Sequence, residues 1–371
     1  MKAVVNYESG AKKVRLMEVE PPLPQAGQVR IRVSYCGICG TDIHIFSGDG
    51  GYPTNPPVTM GHELSGVVES VGAGVDPAWI GQRVVSETYY HTCGICPYCQ
   101  TGHKNLCPEK QSIGSAVNGA MAELVVVPAK NLHRIPQGVS MEEAAMTEPL
   151  ACCAQGVLEF GGLRPGDKVL ITGPGAIGLM CLQLAASAGA RVVIAGTQVD
   201  AERLELAKEL GACAAVFSDR PDAEDRIAAL CPPYGPDVVF DCSGAGPAIQ
   251  MGLRAVRKGG RYVQVGLTGK PTTLDMNLIT LKELTVYGTY AQKTEWWIRS
   301  LELLGQKKIS LKPLISNIYR LEDWEQKIPA PGNPGTLAAK RRSRLSQRKA
   351  LSREWPWRSW RLQKRGSRFP W

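Results

Sequence analysis

The stretch KVLITGPGAIGLMCLQLAASAGARVVIAG, residues 168–196, decides the fold. It opens on a short apolar run of β type, KVLIT (168–172), and turns at once on GPGAIG (173–178). Apolar residues at helical spacing follow, and RVVIAG (191–196) reads as a second strand. A strand, a tight glycine turn and a helix in that order form the context of a dinucleotide-binding unit. Gly173 permits the turn, Gly175 lets backbone approach a pyrophosphate, and Gly178 lets the helix sit close to the sheet. The first helical turn, with Ala176 and Ile177, directs free N–H groups at the diphosphate. PDVVFDCSG (236–244) and GRYVQVG (260–266) repeat the pattern of a strand ending in small residues, which adds Gly266 to the cofactor candidates. The second strand ends in Gly196, Thr197 and Gln198, with Asp200 and Arg203 just beyond. No acid at the tip selects NAD, so NAD and NADP both stay open. Thr197 and Arg203 are the candidates there, Arg203 as a partner for a 2′-phosphate. Asp200 and Arg203 read equally well as the start of a solvated helix.

At 371 residues the chain exceeds one core, and two domains are expected. The first residues, MKAVVNYESGAKKV, carry no secretory apolar region, and no run of eighteen apolar residues could span a bilayer. A cytoplasmic, membrane-free protein is expected. The net charge of +9 raises the question of nucleic acid, but twelve of the 43 Lys and Arg and one of the 34 acids lie beyond residue 327. The body is therefore close to neutral, and no nucleic-acid partner is expected for it. The stretch 328–371 holds four of the eight tryptophans and no sustained helical or strand period. It reads as an aberrant basic tail, translated from a shifted frame; a nucleic-acid or membrane arm and an ordinary disordered tail are the other readings.

Twelve cysteines in a reducing compartment point to thiols and metal rather than disulfides. Cys181, Cys213, Cys231 and Cys242 are scattered among apolar neighbours and read as small buried hydrophobes. Cys93, Cys96, Cys99 and Cys107 differ, because CGICPYCQTGHKNLC spaces them C-x2-C-x2-C-x7-C. Four thiolates on one tight loop suit a closed, structural zinc site. The x7 gap and the lack of a second group count against an iron–sulfur cluster. A second constellation is spread along the chain. YCGICGTDIH (35–44) supplies Cys39, Thr41 and His44; GHE (61–63) supplies His62 and Glu63; TEPL (147–150) supplies Glu148. A thiolate, an imidazole and a carboxylate can hold zinc and leave one position open. Read singly, Cys39 is also a core thiol, His62 a turn residue and Glu148 a helix N-terminal acid.

GICGTDIH, GHE, the four-cysteine lobe, EPL and GPGAIG, in that order over residues 1–327, resemble the zinc-dependent medium-chain alcohol and polyol dehydrogenases, nearest the sorbitol (iditol) and threonine dehydrogenase branch. The resemblance implies an α/β protein. A GroES-like, partly closed β-barrel catalytic domain (1–155) would carry the structural zinc lobe. A doubly wound Rossmann domain for NAD(P) (156–290) comes next, then a return to the catalytic domain (291–327), with the tail at 328–371. Two zinc ions per chain are implied: a catalytic one at Cys39, His62 and Glu63, with Glu148 in or near its shell, and a structural one at the four cysteines. Cys36, Cys152 and Cys153 would be bystanders or packing residues. The resemblance ends at the tail, where no apolar final strand is visible, so an exposed sheet edge and poor stability are expected. The implied reaction is reversible hydride transfer between a polyol or other secondary alcohol and NAD(P), with Thr41 and His44 moving the proton. Threonine is the rival substrate, GDGGYP (48–53) would shape the pocket, and a homotetramer or homodimer is implied. Zinc-free reductases and non-catalytic lens proteins share the fold, but the intact Cys39, His62 and Glu63 argue against both.

Overall fold

In QVRIRVSYC, residues 28–36, every second side chain is apolar, and in the computed structural model this strand alternates between half-buried and buried positions. The structure describes residues 1–48, 52–269, 271–327 and 338–340. The strand lies inside a five-stranded sheet ordered Leu132–Arg134, Arg83–Ser86, Leu64–Val71, Gln28–Cys36, Leu124–Pro128, all antiparallel. A three-stranded sheet, Val14–Glu18, Lys2–Asn6 and Val58–Thr59, is stitched to it by the Ala3–Ala122 bridge and by Val4 N donating to Met121 O at 2.8 Å. The two sheets wrap one apolar core that includes Val4, Val29, Ile31, Val33, Met60, Leu64 and Val127. The chain returns to this core late, where Leu321 and Trp324 are buried and Trp324 packs edge-on against Phe46.

Two helices connect this barrel to the rest of the chain's chemistry. Helix α1 (Gly40–Ser47) leaves the end of the Gln28–Cys36 strand, and helix α2 (Thr147–Ala154) runs into a π-helical turn over Gln155–Phe160. Beyond them six strands form one parallel sheet: β1 (Lys168–Thr172), β2 (Arg191–Gly196), β3 (Ala214–Phe217), β4 (Val238–Asp241), β5 (Arg261–Gln264) and β6 (Thr285–Gly288). Their spatial order is β3-β2-β1-β4-β5-β6. This is the doubly wound order, whose reversal between β1 and β4 opens a crevice at the strand tips. The central strands are apolar on both faces, as a sheet covered on both sides requires, with Val169, Leu170, Ile171, Val238, Val239 and Phe240 all fully buried. Helix α3 (Ala176–Ser187) follows β1 directly, and helix α4 (Thr294–Gly305) packs on α2. Trp297, Leu301 and Leu304 of α4 share one core with Val85 of the barrel and Val169 of the parallel sheet.

Gly173 sits at φ +90°, a left-handed conformation in which a Cβ would also lie 2.8 Å from Ser243. A Cβ at Gly178 would lie 1.9 Å from the Gly173 carbonyl, so this glycine lets the helix close over its own turn.

Two expectations change. Cys213, read as buried, is exposed, because it precedes β3 at the outer end of the sheet. The stretch after 327, read as lacking a final strand, contains a short one: Ala338–Lys340 pairs in parallel with Asn317–Tyr319. Ladder pairing uses only N–H and C=O groups, so an open strand edge can recruit three residues without an apolar period. The rest of the tail, with its frameshift reading, and Asp49–Gly51 of GDGGYP lie outside the described residues.

Candidate active site

Cys39 caps α1, and its backbone N–H donates to Asp42 Oδ2 at 2.9 Å. His62 and Glu63 occupy the turn between the strands Val58–Thr59 and Leu64–Val71. Two glycines bring these segments together. A Cβ at Gly37 would lie 2.0 Å from Glu63 Oε2, and one at Gly61, held at φ +88°, would strike Met121 and Cys36. One donor atom each of Cys39, His62 and Glu63 lies within 4.8 Å of the others. Two segments far apart in the chain thus converge on one point. Glu63 is buried, and its Oε2 has no hydrogen-bond partner. A buried, unpartnered carboxylate oxygen beside a thiol and an imidazole is costly unless a cation takes it up, so the set fits zinc.

Glu148 stands next to this trio rather than within it: Gln292 Nε2 donates to its Oε1 at 3.1 Å, and the Cys152 thiol lies 3.8 Å from the same oxygen. Thr41 Oγ1 is 3.7 Å from Cys39 Sγ and hydrogen-bonds the Tyr52 hydroxyl, and the Tyr52 ring stacks on His44 with centroids 6.2 Å apart. All but His44 and Gln292 line a cleft of about 380 Å³. Its other wall comes from the parallel sheet: Ile177 at the start of α3, Val265 and Leu267 after β5, and Thr289, Tyr290 and Ala291 after β6.

The nucleotide end fits as well. A Cβ at Gly175 would meet no protein atom, which leaves the glycine turn open to a ligand, whereas one at Gly266 would lie 2.5 Å from Gly244 N. Asp241, fully buried at the tip of β4, accepts from Thr172 Oγ1, Ser243 Oγ, Gly244 N and Gln264 Nε2 at 2.6–2.8 Å and so ties three strand tips beside that turn. At the tip of β2, Asp200 accepts from both the N–H and the hydroxyl of Thr197 at 3.0 Å and from Arg203 Nη1 at 3.2 Å. Thr197 and Arg203 therefore belong to one knot centred on Asp200, the helix-start arrangement that the sequence allowed.

Comparison with known proteins follows the same division. The family of alcohol dehydrogenase GroES-like domains matches residues 25–137, and that of zinc-binding dehydrogenases matches residues 176–306. A sorbitol dehydrogenase of Halalkalibacterium halodurans is 40% identical over 88% of this chain and 94% of its own length. The chain belongs to the zinc-dependent medium-chain alcohol dehydrogenases. A D-arabitol-phosphate dehydrogenase of Enterococcus avium is 39% identical over 88% of the chain and 93% of its own, and an L-threonine 3-dehydrogenase of Marinomonas is 34% identical over 84% and 92%. Among solved structures, a zinc-binding dehydrogenase of Sinorhizobium meliloti bound to NADP superposes with a TM-score of 0.83 at 33% identity, covering 92% of this chain and 99% of that one. An Escherichia coli dehydrogenase complexed with NADH gives 0.83 at 27% identity over the same shares. The protein is thus an oxidoreductase of the zinc- and NAD(P)-dependent alcohol and polyol class, with a GroES-like and a Rossmann part.

In this dehydrogenase the electrostatics of the cleft call for a cation. Burial pushes the Cys39 thiol up to about 12, with Asp42 and Glu148 adding to the push. Burial likewise raises Glu63, helped by Cys39 and Glu148, and raises Glu148 against the opposing pull of His62. Burial alone would lower His62, but the carboxylates of Asp42, Glu148 and Glu63 hold it above its ordinary value. A metal ion reverses this logic, because it favours every deprotonated ligand at once.

The four cysteines converge on a second point, with one sulfur of each inside the same 4.8 Å limit. Backbone N–H groups point at the sulfurs, Cys96 N at Cys93 Sγ and Cys99 N at Cys96 Sγ, both at 3.4 Å. The N–H groups of Cys96 and Ile95 draw Cys93 down to about 7, towards the thiolate that zinc binds. Four thiolates leave no vacancy for substrate.

Tyr52 and Pro53 of GDGGYP line the cleft, as the resemblance implies, whereas the motifs do not single out Asp42, Gln292 or the cleft position of Cys152. Cys152 was read as packing, yet α2 turns it to the same side as Glu148, four residues earlier, and its thiol donates to Gln292 Oε1 at 3.1 Å. The i,i+4 spacing on a helix was the available signal. Gln292 carries none, since its partners are set by tertiary contact.

Proposed function

We propose that the enzyme oxidises a polyol or other secondary alcohol, sorbitol or L-iditol being the model substrates, and reduces the ketone in reverse. What supports this reading is a cleft lined both by Cys39, His62 and Glu63 and by Ile177, Val265 and Leu267 beside the tips of the parallel strands. Cys39, His62 and Glu63, with Glu148 beside them, would hold the catalytic zinc, and Cys93, Cys96, Cys99 and Cys107 the structural one. Zinc held at the first set supplies Lewis acidity for charge developing on an alcohol oxygen. Thr41 Oγ1, close to Cys39, accepts the alcohol proton, and His44 passes it towards solvent. Gly173, Gly175, Ala176, Ile177, Gly178 and Gly266 cradle the nucleotide, with Thr197 and Arg203 at its ribose end. The threonine-dehydrogenase relative supports threonine as the second reading.

The domain division proposed is 1–155, 156–290 and 291–327, with α2 and α4 as its seam. A cytoplasmic homodimer or homotetramer is proposed as well. Among the described residues, no helix is long and apolar enough to cross a membrane. Strand β6 is an exposed sheet edge with Val286 43% and Tyr287 39% accessible, and Leu267, Met276, Leu281 and Tyr290 are exposed near it in sequence, which supports pairing between copies. A substrate panel of sorbitol, 2,3-butanediol and threonine, run with NAD and with NADP beside zinc analysis, tests the reading. Oxidation of sorbitol with about two zinc per chain is expected; turnover of threonine alone would replace the polyol assignment, and turnover of none would end it.

A further inference from the structure

The four-cysteine lobe ends three residues before Lys110, a cleft residue that belongs to neither metal-ligand set. Lys110 is half-buried and is the one lysine or arginine among the residues that line the cleft. Its ammonium lies 4.5 Å from the Tyr290 ring centroid and 5.4 Å from that of Tyr89, with Asn105 O accepting at 2.7 Å and the Tyr290 hydroxyl at 3.5 Å. No carboxylate pairs with it among the described residues. An ammonium has three donors, so one remains for a ligand. Two and five residues on, Ser112 and Ser115 also line the cleft, and neither hydroxyl has a hydrogen-bond partner among the described residues. The loop that carries all three is fixed against the metal site: a Cβ at Gly114, φ +85°, would lie 2.8 Å from Gly61 O, and one at Gly119 2.1 Å from the same oxygen. Gly61 immediately precedes His62. The backbone beside the two serines is thus packed against the metal site, and Lys110 lines the same cleft.

We propose that Lys110, Ser112 and Ser115 form an anion subsite, and that the preferred substrate is a polyol carrying a phosphate or a carboxylate at the carbon remote from the oxidised one. This rests on the dehydrogenase reading of the cleft and narrows its substrate class. A cation between aromatic rings with no carboxylate partner among the described residues, in a cleft that two serines also line, suits an acidic oxygen cluster better than a neutral chain end. The lobe then places the recognition group: Asn105 docks it on the segment after β6 by donating to Tyr290 O at 2.9 Å and accepts from Lys110 at its own carbonyl.

The test compares kcat/KM for sorbitol, a sorbitol phosphate and a hexonate in the wild-type holoenzyme and in Lys110→Met and Lys110→Arg. The wild type should favour one of the acidic forms. Lys110→Met should lower the acidic-to-neutral ratio about 10- to 100-fold, and Lys110→Arg should retain most of it. Whether phosphate or carboxylate is preferred identifies the source of the anion. A wild-type preference for sorbitol, or a ratio unmoved by Lys110→Met, overturns the subsite. Calorimetric titration of the zinc- and nucleotide-loaded protein with the sorbitol phosphate and with the hexonate reads the contact without turnover. If neither is oxidised but one binds in a Lys110-dependent way, the subsite stands and the reaction assignment falls. If neither binds, the subsite falls.

Discussion

Replacing Glu63 by Gln keeps the shape of the side chain and removes the charge that a cation would take up. Zinc content should fall from about two to about one per chain, and kcat/KM by at least about 100-fold, with the four-cysteine site retained. Elemental analysis and initial rates read both effects; two zinc per chain in Glu63→Gln would detach this carboxylate from the metal. Gln292→Leu acts differently, because it strands the Glu148 Oε1 atom and the Cys152 thiol that the amide now satisfies. A cost of about 1–3 kcal/mol is expected in urea unfolding. At this scale the sequence was legible where a motif fixes both residue type and spacing, as in GICGTDIH and GHE. Gln292 was opaque because its partner Glu148 lies 144 positions away and an amide is chemically unremarkable in a loop.

Among the elements, the start of the parallel sheet makes a pH prediction. Burial alone would raise Asp237, but the Lys168 N–H at 2.8 Å and the Arg257 guanidinium at 2.6 Å hold its carboxyl below the usual range. Its folded pKa is depressed, so its stabilisation is present above the unfolded value near 3.9 and is lost as pH falls through the folded value. Asp237→Asn should therefore be less stable than wild type at pH 7, and the gap should close below about pH 4 in urea titrations at each pH. The β1–α3–β2 unit was readable because periodicity and glycine positions agree there. The π-helical turn at Gln155–Phe160 and the strand at Ala338–Lys340 were not, since neither depends on a local pattern: the first continues α2 and the second answers an open edge.

For the whole molecule, the exposed edge of β6 sets the assembly prediction: Tyr287→Asp should shift the light-scattering mass towards a single chain, and an unchanged mass would move the interface elsewhere. Two parts facing a shared cleft could be inferred from motif order, whereas the side chains that join them could not. Several of those joining contacts sit on one short connector. Tyr290 O receives Asn105, Gln292 exchanges hydrogen bonds with Tyr89, Lys293 reaches Gln155 and Glu159, and Thr294 Oγ1 donates to Glu87 at 3.1 Å. A segment bolted at so many points serves as a hinge-post rather than a flap. The halves should swing about it as stiff leaves, so that gripping a nucleotide moves the rim near Tyr52 most and leaves the post still, a gradient that hydrogen exchange with and without nucleotide would trace.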